Sequence, residues 1–108
     1  MRRGDLFVAN LPAPVGRRPV LIVTRTPALA IRTAVTVAPV TRTNRSIASE
    51  VPLGTRHGLR AASVANCDAL QTIPKDALGR RRLGTLAADD LAVLDRALVY
   101  ALGIAGLT

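Results

Sequence analysis

The apolar and polar positions fall into several short runs followed by one longer stretch of different period. Asp5-Leu6-Phe7-Val8-Ala9-Asn10 is apolar between polar ends and predicts a strand over 5–10. Residues 11–17 hold Pro12, Pro14 and Gly16 and read as a stiff loop. The run Arg17-Arg18-Pro19-Val20-Leu21-Ile22-Val23-Thr24 is the one the rest is organised around. Its unbroken, β-branched apolar centre predicts a buried strand over 18–24. Pro19 sits near the start of that strand, where a missing backbone donor does no harm. Arg25 to Ile31 is a connection, because Pro27 opposes a strand there. Thr33-Ala34-Val35-Thr36-Val37-Ala38-Pro39-Val40 mixes Val and Thr on a two-residue period and predicts a half-buried third strand. Residues 41–46 form a polar, basic loop. Glu50-Val51-Pro52-Leu53 is a brief strand ended by Gly54, and Thr55 to Gly58 is a turn. Residues 60–66 and 70–73 predict two more strands, split by Cys67-Asp68-Ala69. Pro74 breaks the sheet pattern, and 75–83 predicts a short helical turn before Gly84.

The period then changes. Leu91, Leu94, Leu98, Ala101 and Leu102 recur at three- and four-residue intervals and predict an amphipathic helix. Asp89 and Asp90 fall in its first turn, where the helix dipole favours carboxylates. Gly103 and Gly106 are candidate stops. Five or six short strands with one terminal helix exclude a parallel α/β fold, which needs crossover helices between strands. They predict one domain over 1–108, mainly β: an antiparallel sheet curled into a small barrel and packed by a C-terminal helix. Its exposed edge and apolar helix are natural dimer surfaces, so a homodimer is expected.

Composition sharpens this picture. Aromatics are only 2% of the chain, so the core is aliphatic, and base-stacking on aromatic platforms is not its mode of binding. Fifteen basic against seven acidic residues leave a net charge of +8, which points to a polyanionic partner, above all nucleic acid. Fourteen of the fifteen cations are Arg. That preference carries less weight than the net charge, because codon composition influences it. One cysteine, Cys67, excludes an internal disulfide, and one histidine excludes the usual Cys/His metal clusters. No metal or cofactor is expected. The N-terminus begins charged, and the apolar run from Leu98 to Leu107 is too short to cross a bilayer. A cytoplasmic protein away from the membrane is expected.

The candidate chemistry gathers at the start of the second strand. An arginine fork held there can grip phosphate through two parallel hydrogen bonds. Arg17 reads as a second phosphate contact or as a solvated loop charge. Arg42 and Arg45 read as lining a nucleic-acid groove or as a solvated loop. Arg80-Arg81-Arg82 is the densest basic run; its default reading is a solvated face, and a nucleic-acid track comes second. Lys75 reads as the cap of a turn. His57 reads as an exposed turn residue ahead of an acid or base. Cys67 reads as a small buried residue ahead of a nucleophile.

The order of motifs resembles the MazF/PemK/Kid family of toxin endoribonucleases. The resemblance rests on Arg3-Gly4-Asp5-Leu6, on Gly16-Arg17-Arg18-Pro19-Val20-Leu21-Ile22-Val23 and on Val37-Ala38-Pro39-Val40-Thr41. It continues through Val51-Pro52-Leu53-Gly54, Gly58-Leu59 to Ser63-Val64, Asn66-Cys67-Asp68, Thr72-Ile73-Pro74-Lys75 and Leu83-Gly84-Thr85-Leu86. Each motif is short; their order over nearly the whole chain carries the likeness. It implies a Src-homology-3-like barrel of the PemK/MazF/CcdB toxin type and a homodimer. It also implies metal-independent, sequence-specific cleavage of single-stranded RNA such as mRNA, and a cognate MazE-like antitoxin that threads over the RNA groove. By the same resemblance, the essential arginine falls on Arg18 and the active-site threonine on Thr41. Ser63 and Asp68 match positions on the RNA surface. The chain departs from the family pattern at Asp68-Ala69-Leu70-Gln71, where members often carry Asp-Gln-Ile-Arg. Two other functions compete. A gyrase-directed toxin of the CcdB group uses the same barrel, but with a Trp near the C-terminus, and this chain has none. A catalytically silent RNA-binding barrel fits the charge equally; Arg18 and Thr41 favour the enzyme.

Overall fold

The computed structural model describes residues 1–106, so the last residue of the Leu98–Leu107 run lies outside the described residues. Seven strands form one antiparallel sheet: β1 Asp5–Leu11, β2 Gly16–Ile22, β3 Ala34–Thr41, β4 Glu50–Leu53, β5 Ser63–Asn66, β6 Gln71–Pro74 and β7 Gly84–Thr85. Their order is β4-β5-β3-β2-β1-β7, with β6 also paired to β3. A one-turn helix, α1 (Thr26–Leu29), follows β2, and α2 (Ala88–Leu102) follows β7. The sheet curls into a half-barrel, and its two ends approach where the turn Thr55–His57 after β4 meets β7.

Both faces of the sheet are buried. One face packs against α2 through Leu6, Leu21, Ala38, Val51, Leu53 and Ala65, facing Leu94 and Ala97. The other gathers Phe7, Val20, Ile22, Leu29, Val35, Val37 and Ile73. Two apolar faces explain why Val20-Leu21-Ile22 reads as an unbroken run where a one-sided sheet would alternate. No helix among the described residues is long and apolar enough to cross a membrane.

Several boundaries differ from the pattern-based expectation. β2 starts at Gly16 and stops at Ile22, since Val23 and Thr24 both donate to the Thr36 carbonyl in a turn-like exit. Pro27 stands at the start of α1, a first-turn position that needs no N–H. The expected strand 60–66 shortens to Ser63–Asn66. Pro74 does not break the sheet but ends β6 opposite Ala34. Lys75 donates Nζ to the Leu29 carbonyl at 2.5 Å and so ties the turn Lys75–Ala77 to the end of α1. α2 stops at Gly103 in the left-handed region (φ 66°), where Ile104 N–H returns to Val99 O, so Gly106 is not needed as a stop. Leu102 does not join the buried stripe: it is 59% exposed, like Tyr100 at 64%, so the last turn extends past the core.

His57 is neither exposed nor free. It is 2% exposed, with Gly54 N–H donating to Nδ1 at 3.0 Å. The ring proton is therefore on Nε2, which donates to Asp90 Oδ2 at 3.2 Å. Asp90 also accepts Arg56 Nη1 at 2.9 Å, Arg56 Nη2 at 2.5 Å and the backbone N–H of Ala87 at 3.1 Å. The Arg56 hydrogen bonds, aided by those of Ala87 and His57 and opposed by burial, hold the Asp90 carboxyl down at about 2. A depressed carboxyl stabilises the fold fully above its unfolded value near ~4 and loses that contribution as pH falls toward its folded value. Thermal melts are therefore expected to lose stability between pH ~4 and pH ~2. Asp90→Asn is expected to be less stable at neutral pH and to flatten that acid slope. An unchanged slope would remove Asp90 from the account.

Candidate functional site

The site arises where the sheet parts. β2 pairs with β3 only from Ile22↔Val37 to Val20↔Pro39. Beyond that point β3 turns to β5, pairing Val40↔Ala65 and Thr41↔Val64. β2 meanwhile stays with β1 through Val8↔Pro19, Ala9↔Arg18 and Asn10↔Arg17. Pro19 and Pro39 stand at this fork, where neither proline has an N–H to leave unpaired. The gap is a cleft of about 580 Å3. Arg17 and Arg18 form one wall, Thr41 and Arg42 a second, and Gly58, Leu59, Arg60 and Ser63 a third. Val8 and Leu83 also line it.

Arg18 is half-buried. Its Nη2 donates to the Val15 carbonyl at 3.2 Å, which holds the guanidinium, while its buried Nε has no partner among the described residues. A buried charged donor without an acceptor is costly, and an anion in the cleft would satisfy it. Thr41 Oγ1 accepts the N–H of Thr43 at 3.2 Å, leaving its own O–H free to donate. Ser63 Oγ donates to Ala61 O at 3.0 Å. Among the described residues no carboxylate lines the cleft, and four arginines set its charge.

Arg17, Arg18, Thr41, Arg42 and Ser63 are thus brought together. Arg45 and Asp68 stand outside the cleft. Arg45 is exposed in the loop after β3, its backbone N–H donating to Glu50 Oε1 at 3.0 Å. Asp68 lies on the turn Cys67–Ala69 beyond β5, accepting from Ser49 Oγ at 2.5 Å. Arg60 was missed by pattern reading, which placed it inside a strand. The signal available was Gly58 two residues earlier, a residue that ends strands and opens turns. Cys67 is buried, and that burial, with the nearby Asp68 charge, pushes its thiol up to about 11, too high to supply a thiolate at neutral pH.

The result is a small half-barrel whose sheet forks around a half-buried arginine and a threonine hydroxyl, with an arginine-lined cleft between them. The profile of the PemK-like, MazF-like toxins of type II toxin-antitoxin systems matches residues 2–102, and the chain belongs to that family. Endoribonuclease MazF3 of Mycobacterium tuberculosis is 48% identical over 78 residues, covering 72% of this chain and 76% of that protein. The solved structure of the Mycobacterium tuberculosis toxin MazF-mt6 superposes with a TM-score of 0.84 at 41% identity, covering 92% of this chain and 96% of the other. A mycobacterial endoribonuclease solved in complex with its cognate antitoxin also reaches 0.84, at 30% identity and 96% coverage of both chains.

Proposed function

We propose that this chain is the toxin of a type II toxin-antitoxin pair and cleaves single-stranded RNA in the cleft, with Arg18 and Thr41 acting on the scissile phosphate. The observation that carries the reading is the fixed guanidinium of Arg18, with an unpartnered Nε, on the wall across from the free hydroxyl of Thr41. RNA supplies its own nucleophile. The 2′-oxygen bonds to the adjacent phosphorus, the bond to the 5′-oxygen breaks, and a 2′,3′-cyclic phosphate remains. The proton of the 2′-hydroxyl passes to water, and the departing 5′-oxygen takes one back. Arg18 stabilises charge growing on the phosphoryl oxygens, and Thr41 donates a further hydrogen bond that orients them. Arg18 serves as a charge clamp and not as the base, because a guanidinium offers donors and no acceptor. Arg17, Arg42 and Arg60 hold neighbouring phosphates, and Ser63 lines the path.

Residues 1–108 work as one toxin domain in the cytoplasm. The exposed Tyr100, Leu102 and Ile104 at the end of α2 support a homodimer. The antitoxin complex of the mycobacterial relative supports a cognate antitoxin as a second partner. The experiment that tests the reading is digestion of a mixed single-stranded RNA by the purified protein in excess EDTA. Cuts at a restricted set of sequences are expected; intact RNA beside folded protein would overturn the reading.

A further inference from the structure

The loop that joins the turn Lys75–Ala77 to β7 carries Arg80, Arg81 and Arg82, which the cleft does not use. We propose that this loop is a second RNA-binding surface, which holds phosphates of the nucleotides flanking the cut; the inference rests on the endoribonuclease reading above. A run of exposed arginines is by default a solvated face. Its placement sets this one apart. Gly79 N–H donates to Val8 O and Leu83 N–H to Leu6 O, both at 2.7 Å, and Leu78 bridges Ala9. The loop is therefore pinned at both ends along β1. Val8 pairs with Pro19 of β2, and Val8 and Leu83 both line the cleft. The loop that carries the three arginines consequently runs along β1 into Leu83 on the cleft wall, one strand from β2.

Among the described residues, only one of these three charges is offset. Arg82 reaches Asp5 Oδ1 at 3.7 Å. Arg80 and Arg81 make no ion pair or side-chain hydrogen bond among the described residues. Adjacent like charges repel, and a pinned loop cannot spread them apart. A chain of phosphates leaving the cleft relieves that repulsion and releases counterions. The cleft itself has the volume of a small-ligand site, so an RNA substrate must continue beyond it.

Arg80→Gln/Arg81→Gln is the test, with Arg82 kept because it faces the buried Asp5. Binding of a fully 2′-O-methylated random-sequence RNA, which cannot be cut, is measured against salt. The slope of log affinity on log salt is expected to fall by about 1.4, two contacts at about 0.7 each for single strands. On unmodified long RNA, KM is expected to rise several-fold with kcat unchanged, while the shortest oligonucleotide still cut is cleaved at the parental rate. Arg80→Lys/Arg81→Lys is expected to restore the slope. A double variant with parental slope and parental KM on long RNA overturns the proposal, as does one that loses only affinity for the antitoxin. If the parent protein cuts nothing, the endoribonuclease reading fails instead, and the salt slope alone still decides for or against this surface.

Discussion

Arg18→Ala is expected to lower RNA cleavage by about 10³-fold, or about 4 kcal/mol of transition-state stabilisation, without loss of fold. The size follows from preorganisation. The Val15 carbonyl already holds the guanidinium, so it meets the developing charge without reorganising. Stability should hold because the side chain makes one hydrogen bond and leaves a buried donor unsatisfied; removing both is close to neutral. The melting temperature of the variant should stay within about 4 °C of the parent, less than a ~1 kcal/mol loss produces in a chain of this size. Arg18→Lys keeps the charge but not the fork, and a loss of about 10²-fold is expected. Near-parental cleavage by folded Arg18→Ala would move the chemistry elsewhere.

Gly58→Ala is expected to prevent folding. Gly58 lies at φ 83°, in the left-handed region, after the turn Thr55–His57. A Cβ there would overlap the carbonyl oxygen of Leu83 and sit 2.5 Å from its carbon, and backbone cannot step aside as a side chain can. Gly84 is the reciprocal case, where a Cβ would overlap the carbonyl oxygen of His57. The two glycines let the ends of the curled sheet touch and bring Leu83 to the cleft beside Gly58. Opening that contact is expected to cost more than about 4 kcal/mol, a large part of the total stability of a small domain. Gly16→Ala provides the comparison. It also has positive φ (71°) but nothing within 4 Å, so only the backbone strain of about 1–2 kcal/mol is expected. Denaturant melts check both, and a Gly58→Ala midpoint no lower than that of Gly16→Ala would contradict the packing described.

The strands and the terminal helix were legible because their apolar periods differ, and the family resemblance singled out Arg18 and Thr41 as candidates, which the fold brings to one cleft. Local pattern did not reach what depends on distant partners. His57 reads as a turn residue in its own stretch, and only Asp90, 33 residues on, turns it into a buried latch. Arg60 joins the cleft because β3 leaves β2 at Pro39 and turns to β5, an event no single segment encodes. Leu102 fits the helical stripe by spacing, yet the core ends beneath it before the helix does. Arg45 was nominated by its neighbourhood to Thr41 and Asp68 by the family resemblance, and the loop after β3 and the turn after β5 hold them off the cleft walls.

The measurement that tests the central claim most directly is the typing of product ends after digestion of mixed single-stranded RNA in excess EDTA. Attack by the substrate's own 2′-hydroxyl, steered by Arg18 and Thr41, predicts 2′,3′-cyclic phosphate on one fragment and a free 5′-hydroxyl on the other. Fragments ending in 3′-hydroxyl and 5′-phosphate, or cuts also made where the 2′-hydroxyl is methylated, would show that water is the nucleophile and would contradict the account.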